Sequence, residues 1–179
     1  SLVERDSGLA QKVIVNDDVI NDKELKVDEF CLRLLALRQP AAKDLRFITM
    51  AIKINYDLER IGDMAVNICE RVLELNREPQ LKPYIDLPRM ADIAQKMVKE
   101  SLDAFVREDV QLALKVTKDD ASVDQLHDQI FRELLTFMMQ DMKNISRATR
   151  LLFISKYLER MADHAVNIAE LVIFMVEGK

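Results

Sequence analysis

The 179-residue chain carries 26 basic and 31 acidic side chains, a net charge of −5, with no basic stripe to grip a phosphate backbone, so a nucleic-acid partner is not expected. Three glycines, four prolines, no tryptophan and 49% hydrophobic residues indicate a mostly helical chain able to bury a real core. The longest apolar run near the end, Leu171 to Val176, falls far short of the ~18 residues that a membrane span needs.

Ser1 to Arg5 reads as the tail of a helix, and Asp6-Ser7 can cap a short helix from Gly8 to about Asn16. A longer helix follows over 18–38, ended by Gln39-Pro40 because proline disfavours helical geometry in the residue before it. Over 41–76 the apolar positions Ala51, Ile54, Leu58, Ile61, Ala65, Ile68, Val72 and Leu75 alternate three and four apart, the seam of a long packed helix. Pro79, Pro83 and Pro88 mark a linker over 78–88. Helices are then expected at 88–106, 109–118, 121–140 and 144–176. Cys31 and Cys69 lack CxxC or zinc-finger spacing and read as buried thiols of a reducing cytoplasm. No signal-peptide pattern opens the sequence as given, which begins at Ser1.

The chain repeats itself. Leu58-Glu-Arg-Ile-Gly-Asp-Met-Ala-Val-Asn-Ile-Cys-Glu70 returns as Leu158-Glu-Arg-Met-Ala-Asp-His-Ala-Val-Asn-Ile-Ala-Glu170, and the last helix repeats the earlier seam. The halves are a first repeat over 1–77, the linker, and a second repeat over 89–179, each a helical bundle dominated by a long hairpin. Leu2-Val-Glu-Arg-Asp6 lines up with Phe105-Val-Arg-Glu-Asp109, so the first half lacks a counterpart to the helix near Pro88, a deficit of about 15–20 residues. An exposed apolar groove on the first half, or a partner chain filling it, is the expected consequence.

Glu59 and Asp63 lie four apart and share a helix face, as do Glu159 and Asp163, off the apolar seam. Across the first hairpin Asp17 and Asn21 reach the same height; across the second, Asp120 and Asp124 do. Glu24, His127 and His164 stand close enough in sequence to join. Clustered carboxylates repel unless a cation neutralises them, and oxygen-rich sites suit magnesium, manganese or iron. The competing interpretation is a solvated acidic face with Glu59 or Asp63 bonded to Arg60, and histidines that merely occupy surface or helix-end positions.

Arg38-Gln-Pro-Ala-Ala-Lys-Asp-Leu-Arg46, followed by Leu58-Glu-Arg-Ile-Gly-Asp63 and by Leu158-Glu-Arg-Met-Ala-Asp163-His164, closely resembles the PhoU family over essentially the whole chain. The resemblance implies an all-α fold of two tandem three-helix bundles. It also implies multinuclear iron or zinc clusters held by E(D)xxxD pairs, matched here by Asp17 with Asn21, Glu59 with Asp63, Asp120 with Asp124, and Glu159 with Asp163. It further implies a cytoplasmic regulator rather than an enzyme, acting between the ATPase of a phosphate ABC transporter and a sensor histidine kinase, homodimeric, and meeting the membrane only through partners. Asn21 replaces an acid and Met64 stands where a histidine often follows the aspartate, so the second site is expected to hold metal more tightly. Two rival readings stay open: a di-iron carboxylate enzyme, disfavoured because the chain has no ExxH, and a metal-free helical adaptor.

Overall fold

A computed structural model describes residues 1–178; the expected end of the second repeat, Lys179, lies outside the described residues. Among the described residues six α-helices make up the fold: α1 Ser7–Val15, α2 Asp17–Arg38, α3 Ala42–Leu75, α4 Asp86–Arg107, α5 Val110–Gln140 and α6 Ile145–Glu177, with a short 3-10 turn at Met142–Asn144 before α6. No strand occurs among the described residues.

The repeat alignment holds at atomic detail. Asp6 and Asp109 are both N-caps, accepting from the backbone N–H of Leu9 at 2.8 Å and of Leu112 at 3.0 Å. The residue before each cap is left-handed, Arg5 at φ 52° and Glu108 at φ 54°. One expectation needs correction: the segments placed at 109–118 and 121–140 are a single helix, α5. Nothing over 118–121 removes an N–H, and the buried stripe of Val116, Val123 and Ile130 carries the helix through. The interruption falls only in the first half, at Asn16 (φ −81°, ψ −2°), which separates α1 from α2.

The second half is a closed three-helix unit. Met90, Ala94, Met97 and Ala104 of α4 are sealed against Val123, Ile130 and Leu134 of α5 and Leu151, Ala162, Ala165 and Val172 of α6. The halves join through α3 and α6. Ile54 and Ile61 meet Ile168, and α4 leans across the junction so that Phe105 stacks on Phe47 at 4.8 Å between ring centroids. At the other end, Arg150 pairs with Glu74 at 2.6 Å and with Glu78 at 2.8 Å, while Arg5 donates to the carbonyls of Leu75, Asn76 and Glu78 and closes the C-terminus of α3. Lys82 of the linker is ion-paired to Glu133 of α5.

Over the described residues, α2 leaves more apolar surface uncovered than α5 does. Ile20 is 41% exposed where its repeat equivalent Val123 is 0%, and Val27 is 40% exposed where Ile130 is 1%. Cys31 is the one buried residue of α2. Each such aliphatic side chain forgoes about 1 kcal/mol, its exposed fraction of what full burial contributes, so α2 is held by less apolar contact than α5.

Candidate metal centre

Each repeat presents its acids where two helices run side by side, α1–α2 against α3 and α5 against α6. In the first half α2 passes close to Gly62. A Cβ at that position would stand 3.4 Å from two carbons of Ile20 and 3.8 Å from Asp17 Oδ1, ordinary contact distances at which a small side chain fits. Burial raises the Glu59 carboxyl above its usual range, with Asp63, Glu24 and Asp17 adding to the rise and Arg60 opposing it. Asp17, Glu24, Glu59 and Asp63 thus share one electrostatic field. Asn21 belongs to the group by donating its amide to Asp17 Oδ2 at 3.4 Å.

Arg60 is the counter-cation of this cluster. A guanidinium nitrogen donates to Asp63 Oδ2 at 2.9 Å, and Nε donates to the Tyr56 hydroxyl at 3.0 Å and stands 3.6 Å from Glu59 Oε2. The guanidinium lies over the Tyr56 ring with Cζ 5.1 Å from the centroid. Glu59 Oε2 is nevertheless buried without a hydrogen-bond partner. The Arg60–Asp63 pair is the contact that the solvated-face interpretation anticipated.

The second half gathers four acids more tightly. Burial pushes Asp120 up to about 6, reinforced by Asp124, Asp163 and Glu159. Asp163 is also raised, by burial, Glu159 and Asp124, against the pull of Lys156 and His164. Lys156 is ion-paired to Glu159. Asp120 Oδ1 is buried and bonded to nothing, a state that costs about 1–3 kcal/mol or more for a charged oxygen, whereas the buried Glu159 Oε2 has Lys156 as its ion-pair partner.

The histidines divide. His127 Nδ1 lies 3.1 Å from Ser155 Oγ, whose hydroxyl donates to Leu152 O at 2.9 Å. In the neutral ring Nδ1–H is then the donor and the Nε2 lone pair is free, the tautomer in which a histidine ligates metal. His164 places Nδ1 2.8 Å from Asp57 Oδ1, across the junction of the halves. That contact was not foreseen: Asp57 has no acidic equivalent in the second repeat, and the α3–α6 pairing that brings it to His164 spans most of the chain. Tyr56, Lys156 and Ser155 were likewise missed, although positions 56 and 156 precede Glu59 and Glu159 by one helical turn and could have been read as their neighbours.

Among the described residues no three His, Cys, Asp or Glu side chains stand ready-assembled around one ion. The donor set still fits a cation. Each cluster holds an orphaned buried carboxylate oxygen beside further acids, and each borrows one positive side chain, Arg60 or Lys156, to offset the charge. Oxygen-rich groups of this kind suit hard cations, iron or zinc once the borrowed cation swings away and the carboxylates turn inward. Asp17, Asn21, Glu24, Glu59 and Asp63 would hold it in the first half, and Asp120, Asp124, His127, Glu159 and Asp163 in the second, with His164 adjacent.

Comparison with known proteins places the chain in context. The family model described as "PhoU domain" matches residues 1–72 and again 87–172. A Pseudomonas aeruginosa protein named phosphate-specific transport system accessory protein PhoU homolog is 47% identical over 179 residues, spanning 99% of this chain and 74% of that one. An Aquifex aeolicus protein of the same name is 44% identical over 171 residues, 96% of this chain and 77% of its own. The crystal structure of PhoU from Pseudomonas aeruginosa superposes with a TM-score of 0.95 at 47% identity, covering 99% of this chain and 86% of the other. That of the phosphate transport system regulatory protein PhoU from Streptococcus pneumoniae gives 0.90 at 30% identity, covering 99% and 84%.

Proposed function

The chain belongs to the PhoU family, and from that premise we propose that it is a non-catalytic, cytoplasmic regulator of phosphate uptake and phosphate-starvation signalling, a metal-loaded helical adaptor. The relatives' names, accessory and regulatory proteins of phosphate transport, support the first part. Among the described residues no helix is long and apolar enough to cross a membrane, which fits a protein that reaches the membrane through partners. The partners we propose are the ATPase of a phosphate ABC transporter and a sensor histidine kinase, with the regulator as a homodimer.

The observation that carries the metal reading is the orphaned carboxylate oxygen in both repeats: Glu59 Oε2 in one and Asp120 Oδ1 in the other. The carboxylates of the two facing helices would hold an iron or zinc cluster, or magnesium or manganese, whose positive charge would offset their repulsion. The chain's own residues hold the ligands in place. Gly62 and Ala162 admit the facing helix, the seam residues fix helix rotation, and Ser155 fixes the His127 tautomer.

Elemental analysis of the purified chain combined with a pull-down of the transporter ATPase tests both parts. The proposal expects bound transition metal, lost with Glu159→Ala plus Asp163→Ala, and weaker capture of the ATPase by that variant. A protein free of metal that captures the ATPase unchanged would favour the metal-free adaptor, the reading that the Arg60–Asp63 pair supports.

A further inference from the structure

Tyr56 and Arg60 form a fixture on the first carboxylate cluster that the second cluster does not have. The arginine itself is repeated, as Arg160, but the tyrosine is replaced by Lys156. Where Tyr56 stands, Arg60 is gripped twice, through its Nε–H to the phenol oxygen at 3.0 Å and by the ring face under its Cζ at 5.1 Å. That grip aims its remaining guanidinium edge at Asp63 Oδ2, 2.9 Å away, and leaves Nε 3.6 Å from Glu59 Oε2. Where Lys156 stands, Arg160 makes no ion pair among the described residues, and the lysine reaches Glu159 alone.

The two counter-cations differ in kind. Lys156 is a point charge on a flexible stem, and an incoming metal ion has only one ion pair to replace. Arg60 is a planar fork held by an aromatic ring, so an ion entering the first cluster must displace the carboxylate contact and the tyrosine contacts together.

We propose that Tyr56 is a positioning residue that holds Arg60 over Glu59 and Asp63 as a built-in counter-cation, so that the first cluster admits metal only after this latch opens and loads after the second. The inference rests on the metal-binding reading above. It makes position 56, with Asn21, a determinant of the difference between the two sites.

Tyr56 is 52% exposed, so its substitution spares the core. The test is a zinc competition titration of the full chain carrying Glu159→Gln and Asp163→Asn, which leaves the first cluster as the site read out. Tyr56→Ala is expected to tighten zinc binding about tenfold, the combined weight of an exposed cation–π contact and one hydrogen bond. Tyr56→Phe, which keeps the ring and loses the phenol, is expected to tighten it about threefold. Arg60→Met is expected to tighten binding at least as much and to make a further Tyr56→Ala change silent. Because the chain has three tyrosines and no tryptophan, tyrosine emission offers a second readout. Zinc should alter it in the parent and not in Tyr56→Phe with Arg60→Met. First-site affinity indifferent to residue 56, with zinc still bound, overturns the latch and leaves the metal reading standing. No zinc uptake at either cluster of the unmodified chain overturns both.

Discussion

The two carboxylate clusters are copies of one design that have been finished differently. The second has four acids, Asp120, Asp124, Glu159 and Asp163, on helices sealed by α4, and burial reinforced by the neighbouring acids raises Asp120 to about 6. The first has Asn21 in place of an acid, an arginine clamped by Tyr56, and a supporting helix, α2, with Cys31 as its one buried residue. Charge density therefore falls from the second half to the first, and a site with fewer charged ligands holds a cation less tightly.

Disabling one cluster at a time breaks this comparison most directly. Glu159→Ala with Asp163→Ala should weaken the tighter class of metal binding by more than ~100-fold and leave the weaker class in place. The matching Glu59→Ala with Asp63→Ala change should do the reverse, as read by equilibrium dialysis.

Packing comes next. Leu158 is 6% exposed and Leu58 only half-buried. Leu158→Ala should cost about 3 kcal/mol in urea unfolding and Leu58→Ala about 1 kcal/mol, because the half-buried Leu58 has less contact to lose beside Ile54, Ile61 and Ile168. Equal costs would mean that Leu58 is packed as completely as Leu158 in solution.

Asn21→Asp sharpens the comparison by restoring the acid. Metal affinity of the first cluster should rise about tenfold, the weight of one charged oxygen ligand. Stability of the metal-free protein should fall slightly, because a further carboxylate joins Asp17 and Glu59.

The smallest effect concerns pH. The Asp120 carboxyl has a folded pKa of about 6 against an ordinary 3.8, so between those values the folded chain holds more protons than the unfolded one. Stability of the metal-free protein then declines as pH rises through that window and stays lowered above it. Asp120→Asn should recover about 1 kcal/mol near pH 7, a figure reduced for solvent screening, and nothing below about pH 4. Thermal unfolding of chelator-treated protein at both pH values checks it.

Much of this architecture was legible in the residues. The Leu58–Glu70 phrase and its second copy disclosed the duplication, and counting outward from the hairpin turns brought Asp17 and Asn21 opposite Glu59 and Asp63, because helix rise is uniform. The continuity of α5 was less legible: the two segments expected at 109–118 and 121–140 are one helix, joined by the buried stripe through Val116, Val123 and Ile130. The α3–α6 junction was out of reach, since the pairing of Asp57 with His164 depends on how two hairpins dock rather than on any local spacing. Side-chain choices such as Arg60 turning to Tyr56 depend on rotamers, on which helical periodicity is silent.

The most direct test of the account is a chelator-controlled zinc or ferrous titration of the unmodified chain, followed by elemental analysis at each step. Two separate loading steps are expected, the tighter one abolished by Glu159→Ala with Asp163→Ala and the weaker one by Glu59→Ala with Asp63→Ala. A single step of two equivalent sites would contradict the inequality of the clusters, and no uptake above background would contradict the metal centre itself.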